Sequence, residues 1–199
     1  EESVKLTVTR AAIPQAANGA APAGDEFTRP TQLLQSDDPT VEKLARQAVG
    51  DEQDEWKKAL QLEKFVHEKL TKKNFSTAMA SAAEVAANLE GDCTEHAVLL
   101  AAMARSVGIP SRIAAGIVYV DRLSSFGGHM WTEVYIRGHW IPLDATLGAG
   151  GIGAGHIKLS QTSMADNAPT PVAALLPILT ALAKIQIEPV DVEHEKPGR

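Results

Sequence analysis

From Val4 to Thr9 apolar and polar side chains alternate, the two-residue period of a short strand. Residues 11–30, rich in Ala, Pro and Gly, break that pattern and read as a linker. Helical periodicity begins at Asp38-Pro39 and runs to about Val49, with Val41, Leu44, Ala45 and Ala48 on one face. A second amphipathic helix covers about Glu52 to Leu70, with Trp56, Ala59, Leu60, Leu62, Phe65 and Val66 as its apolar side. Lys69, Lys72 and Lys73 complement the dipole at its C-terminal end and read as a solvated terminus. Ala82 to Leu89 predicts a further short helix.

The pattern then changes. After Gly91-Asp92-Cys93-Thr94-Glu95-His96, residues 97–104 are apolar on every face, and Gly108 and Pro110 stop the helix. A helix apolar all round lies in the middle of its domain. Strand-like segments follow at Arg112 to Val120, Met130 to Ile136 and His139 to Leu143. The last two flank Arg137-Gly138 as a hairpin. A Gly-rich loop spans residues 148–155. Ile157 to Leu159, a helix from about Pro171 and a strand near Ile185 to Val190 complete the chain. Helices first and antiparallel strands later make the class α+β. The organisation expected is an N-terminal strand and linker over 1–30 and one catalytic domain over 31–199.

Composition narrows the function. The chain has 199 residues, a net charge of -6, 44% apolar and 22% charged residues. These values describe a globular domain without the basic footprint of a nucleic-acid or anionic-membrane binder, so no nucleic-acid partner is expected. The longest apolar stretch, Pro171 to Ala183, contains Pro177 and falls short of the roughly 20 residues a transmembrane helix needs. The chain begins at Glu1 rather than Met and reads as a piece of a longer multidomain protein. The leading strand and linker point to an extracytoplasmic, periplasmic or secreted, setting.

Cys93 is the one cysteine. An intrachain disulfide and a multi-cysteine zinc site are therefore excluded. A lone cysteine is most often a small core residue, but the neighbours of Cys93 argue otherwise. Asp92 is placed as N-cap and Glu95 as its capping-box partner, so Cys93 takes the first helical position. There the helix terminus favours the thiolate, and the Cys93 backbone N–H is left to stabilise an oxyanion. The charge of Asp92 opposes the thiolate, so a base is required. His129, after Gly127-Gly128, is the candidate. With Arg137-Gly138 as the turn, Ile136 faces His139 and Trp131 faces Asp144. His129 and Asp144 are then diagonal neighbours, Cα atoms roughly 7–8 Å apart, within reach of a carboxylate–imidazole bond. The thiol thus gains a base and the base an orienter.

Three ordered blocks carry a family resemblance: Gly91 to His96 with the buried helix and Gly108-Ile109-Pro110-Ser111-Arg112; His129-Met130-Trp131-Thr132-Glu133-Val134-Tyr135; and Trp140-Ile141-Pro142-Leu143-Asp144-Ala145-Thr146. From about Phe75 to Thr146 the chain resembles the transglutaminase-like core of the papain-like thiol enzyme superfamily. The resemblance implies an N-terminal helical part, a buried central helix carrying the Cys, and an antiparallel sheet. It implies Cys93 as nucleophile, His129 as general base and acid, Asp144 as orienter and a protein or peptide substrate. The chain departs from the common pattern at Met130, where a small residue is usual, and at Ala145, where Pro is usual. The activity expected is that of a cysteine peptidase or amidohydrolase. Transglutaminase-type acyl transfer and deamidation share the same acyl-enzyme. A non-catalytic peptide-binding module is the reading from another class.

Other residues weigh less. Cys93, His96, His129 and Asp144 would supply four metal donors, but no second Cys or paired-His motif supports them; no metal or cofactor is expected. The loop 148–155 leads into a strand rather than a helix, so it reads as a mobile loop or lid beside the site, not a dinucleotide loop. His67, His139, His156 and His194 read as surface or structural residues. Trp131, Trp140 and Tyr135 read as hairpin and core aromatics, with Trp131 also a candidate for the substrate cleft. Asn74 and Ser76 lie where the superfamily often places a second oxyanion donor.

Overall fold

Four of the five α-helices open on a side-chain or backbone device that the local sequence supplies. In α1 (Pro39–Val49) the Asp38 carboxylate accepts the amides of Thr40 and Val41 and Pro sits in the first turn. In α2 (Glu55–Lys69) Asp54 caps Lys57. The short α3 (Ala82–Asn88) carries a reciprocal Ser81–Glu84 capping box. The next helix, α4 (Cys93–Ser106), carries another, between Asp92 and Glu95. The structure, a computed structural model, describes residues 5–9, 21–72, 79–167, 171–184, 186–188 and 190–191.

Every residue of α4 from Glu95 to Arg105 is buried. The helix is the axis of the core, with α1, α2 and α3 packed around it and a sheet against its remaining side. The sheet comprises β1 (Ser111–Val120), β2 (Ser125–Ile136), β3 (His139–Leu143) and β4 (His156–Thr162), ordered β3-β2-β1-β4 and antiparallel throughout. The Thr132 hydroxyl donates to the Ala97 carbonyl at 2.9 Å, tying β2 to the front of α4. The Arg105 guanidinium ties its far end by donating to the carbonyls of Arg29, Ser111 and Ser163. Burial among neutral acceptors pulls that group down to about 10. A last helix, α5 (Pro171–Lys184), lies against β4 and β1.

The architecture is the expected α+β arrangement. The hairpin register is also as read: Ile136 pairs with His139 and Thr132 with Leu143, around a two-residue turn with positive φ at both Arg137 and Gly138. Strand β2 starts earlier than its apolar pattern, at Ser125, because Ser125 and Phe126 pair with Val120 and Tyr119 across a one-turn 3₁₀ connection, Asp121–Leu123. Two expected strands, Val4 to Thr9 and Ile185 to Val190, do not form among their described residues. The described residues 5–9, and 186–188 with 190–191, carry no regular structure, since an alternating segment becomes a strand only where an edge accepts it. Lys73 and most of the segment it opens lie outside the described residues.

Candidate active site

The start of α4 sits in a tight corner. Gly91 (φ 152°) precedes the cap, and a Cβ there would fall 2.3 Å from the Glu95 Cβ. Only glycine lets the chain pass this close. The Asp92 carboxylate accepts the Thr94 amide at 2.8 Å, and Glu95 accepts the Asp92 amide at 2.9 Å and the Ala80 amide at 3.0 Å. Cys93, half-buried, is the first residue of the helix.

His129 lies on β2, and its Nε2–H donates to Asp144 Oδ2 at 2.7 Å. The nitrogen left for the thiol is Nδ1, and the neighbouring Cys93 adds to the interactions that raise this imidazole. The three expected residues therefore meet at one point. Burial by itself would depress the imidazole. Its hydrogen bonds and charge interactions with Asp144 and Cys93 outweigh that and raise it to about 9. Burial would raise the Asp144 carboxyl, but the bonds from His129 and His156 hold it well below the usual carboxylate range. At neutral pH the arrangement is a carboxylate beside an imidazolium.

Asp144 is fully buried and receives donors on all sides. Oδ2 accepts from both His129 and His156, the latter at 2.9 Å; Oδ1 accepts the Thr146 amide at 2.9 Å and the Leu147 amide at 3.4 Å. Its own amide donates to Glu63 Oε1 at 2.9 Å. Glu63 comes from α2 and also accepts the Gly151 amide. Desolvation raises the Glu63 carboxyl, partly offset by the amides of Gly151 and Asp144.

Two of these residues escaped sequence reasoning. His156, taken for a surface or structural residue, is buried with its ring on the Asp144 carboxylate. By residue type alone Glu63 resembles the exposed acids of α2. A polar residue on an otherwise apolar helical face was the available signal. The Gly-rich loop is tethered to the site rather than free of it. The Asp144 carbonyl accepts the Gly148 amide at 2.8 Å, Glu63 holds Gly151, and the Gly155 carbonyl accepts the Tyr119 amide at 2.9 Å.

His96 is held by the main chain at the start of the helix. Its Nδ1 lies 2.6 Å from the Asp92 carbonyl oxygen, and burial lowers its basicity. The four-donor metal set with Cys93 is thus not assembled. Among the described residues, the donors close enough to share an ion are His129, Asp144 and His156, within 4.8 Å of one another. Their 2.7 and 2.9 Å contacts are hydrogen bonds, and an ion would have to displace both imidazole protons. His67 is structural, its Nδ1 3.0 Å from the Ala145 carbonyl oxygen under Gly148. His139 pairs in the hairpin. Trp131 stacks along His129 and meets His156 edge-on, while Trp140 and Tyr135 pack together on the hairpin. Asn74, Ser76 and His194 lie outside the described residues.

The model of the transglutaminase-like superfamily matches residues 42–145. No curated protein is significantly similar to the chain. Among solved structures, a candidate cysteine protease from Cytophaga hutchinsonii is similar at 27% identity and a TM-score of 0.58, over 69% of this chain and 46% of that one. The chain thus spans less than half the length of that relative. The periplasmic domain of TgpA from Pseudomonas aeruginosa is similar at 20% identity and a TM-score of 0.45, over 62% and 48% of the two chains. No helix among the described residues is long and apolar enough to cross a membrane. With the family match covering more than half of its residues and the buried helix, sheet and ordered blocks in their expected places, the chain belongs to the transglutaminase-like superfamily.

Proposed function

We propose that this chain is a thiol enzyme acting on amide bonds, with Cys93 as nucleophile, His129 as general base and acid, and Asp144 as orienter. The observation that carries the reading is the hydrogen bond of His129 Nε2 to the buried Asp144, which leaves Nδ1 for the neighbouring Cys93 at the start of a buried helix. Cys93 gives its proton to His129 Nδ1, and the thiolate Sγ attacks the amide carbonyl carbon. The oxyanion develops at the N-terminus of α4, where the Cys93 amide donates to it. The C–N bond breaks, and the His129 imidazolium gives its proton to the departing amine. Water then attacks the Cys93 thioester while His129 takes its proton, releasing the acid and the Cys93 thiolate beside the His129 imidazolium. Asp144 holds the ring with the proton on Nε2 and Nδ1 toward sulfur.

Peptide hydrolysis or amide hydrolysis is the favoured outcome. An amine in place of water would give transamidation, and a glutamine side chain as substrate would give deamidation. The substrate class is a protein or peptide. The Ala/Pro-rich segment at 11–30 is consistent with a module of a longer envelope or secreted protein.

Two measurements test this. Iodoacetamide labels the single cysteine, and we expect the rate at pH 7 to fall in His129→Ala. Equal rates in the two proteins would remove His129 as the activating base. Mass spectrometry of candidate peptides after incubation reads cleavage, a one-dalton deamidation or a cross-link together. Normal labelling with no change in any peptide, from a broad library, would favour a binding module.

A further inference from the structure

His156 opens β4, at one edge of the sheet, and Asp144 follows β3, at the other. Their side chains nevertheless meet at 2.9 Å. Two features of the backbone produce this. The first is a bulge. From Ile113 to Ala115 the β1–β4 pairing is regular, and Ala115 faces Ser160, but Gly116 then faces Lys158. Leu159 is the extra residue. Had the regular register continued through Leu159, His156 would face Tyr119 rather than Val118, and its side chain would point to the opposite face of the sheet. With the bulge, His156 shares a face with Gly116 and, across the next strand, with His129. The second feature is Gly116. A Cβ there would lie 2.1 Å from the Ile157 carbonyl oxygen and 2.9 Å from Trp131 Cη2. Its absence lets β4 close in and leaves room for the rings of His129, Trp131 and His156 above it. The His129 and His156 centroids are 5.7 Å apart, and Trp131 lies 5.3 Å from His156.

An ionised carboxylate only accepts, so both imidazoles present Nε2–H to the same oxygen. His156 Nδ1 is buried and has no partner among the described residues. The bond from Nε2–H to Asp144 is therefore the polar contact that fixes this ring. Taken with Thr146 and Leu147 on Oδ1, it removes the rotational freedom of the carboxylate.

On these grounds, and resting on the Cys93–His129–Asp144 reading, we propose that His156 is a positioning residue of the same site. It holds the Asp144 oxygen in place from the far edge of the sheet and so keeps His129 aimed at Cys93.

The test compares His156→Phe, which keeps ring volume but donates nothing, with His156→Gln, whose amide can still donate. A packing role ranks the two with Phe as good as or better than Gln. A positioning role reverses that order in one readout only. We expect His156→Phe to reduce the iodoacetamide rate constant of Cys93 at pH 7 on the order of ten-fold, as supporting hydrogen bonds to a reactive group typically do. His156→Gln should stay within about three-fold of the native rate, on the same reasoning, even if its melting temperature is lower. Native-like labelling of His156→Phe, with His129→Ala slow, overturns the inference and leaves the triad standing. Native-like labelling of His129→Ala removes the triad and the inference with it. Should His156→Phe not fold, long-range ¹H–¹⁵N spectra of the native protein decide. A proton on Nε2 of His156 supports the role, and a proton on Nδ1 alone overturns it.

Discussion

Glu63 Oε1 accepts the backbone N–H of Asp144 at 2.9 Å, a buried carboxylate reaching across 81 residues of chain to hold the orienting aspartate by its main chain. The same oxygen accepts the Gly151 amide at 3.1 Å, so one side chain of α2 anchors both the end of β3 and the Gly-rich loop. Two consequences follow for substitution. Glu63→Ala strands these two amides, at about 1–3 kcal/mol for each buried unsatisfied donor, so a loss of roughly 2–4 kcal/mol in urea unfolding is expected. Glu63→Gln retains an acceptor oxygen and should lose clearly less. Equal losses in the two variants would mean that the carboxylate is held there for its charge and not for these bonds.

Asp144→Asn is not a silent change in this environment. Four N–H donors converge on the carboxylate: His129, His156 and the amides of Thr146 and Leu147. An asparagine has one oxygen and one NH₂, so either orientation sets N–H against N–H. The variant should lose labelling of Cys93 and, in addition, about 3–5 kcal/mol of stability, the range for one partner removed from a buried charge pair. Chemical denaturation followed by tryptophan fluorescence reads the second effect. An unchanged midpoint would show that the pocket relaxes around the amide.

Stability should depend on pH through His129 in a defined window. Its folded value of about 9 exceeds the ordinary 6.5. A base raised in this way contributes fully below 6.5 and loses the contribution as pH climbs through about 9. Asp144 acts in the opposite sense: held below 3.8, it contributes above that value and loses the contribution as pH falls beneath it. The free-energy gap between the native protein and His129→Gln should therefore narrow between pH 6.5 and 9.5 or so. A gap independent of pH would mean that His129 is not charged in the folded protein.

Asp92→Ala separates the cap from the chemistry. The Asp92 carboxylate serves the amide and hydroxyl of Thr94. Losing an N-cap costs about 0.5–2 kcal/mol. Glu95 keeps its hold on the residue 92 amide, because that bond uses the main chain. Urea unfolding should show a loss inside that range. A larger one would mean that Asp92 supports more than the first turn of α4.

The sequence by itself determined the parts whose causes are local. The Asp92–Glu95 box, the apolar run to Ala104 and Gly108 define α4 and put Cys93 at its first position. The Arg137-Gly138 turn sets the register of β2 on β3, and that register brings Asp144 beside His129. Caps and two-residue turns act over a few positions, so they can be read directly from the chain. Tertiary structure alone decided which other groups surround the carboxylate. Glu63 arrives through the packing of α2, His156 through a bulge in a strand pairing about 40 positions apart, and His96 has its ring on the Asp92 carbonyl. A one-residue bulge reverses the face of every side chain beyond it while leaving the alternation of the strand almost unchanged. The placement of His156 therefore depends on where Gly116 allows β4 to approach β1, a contact that exists only once the sheet has formed.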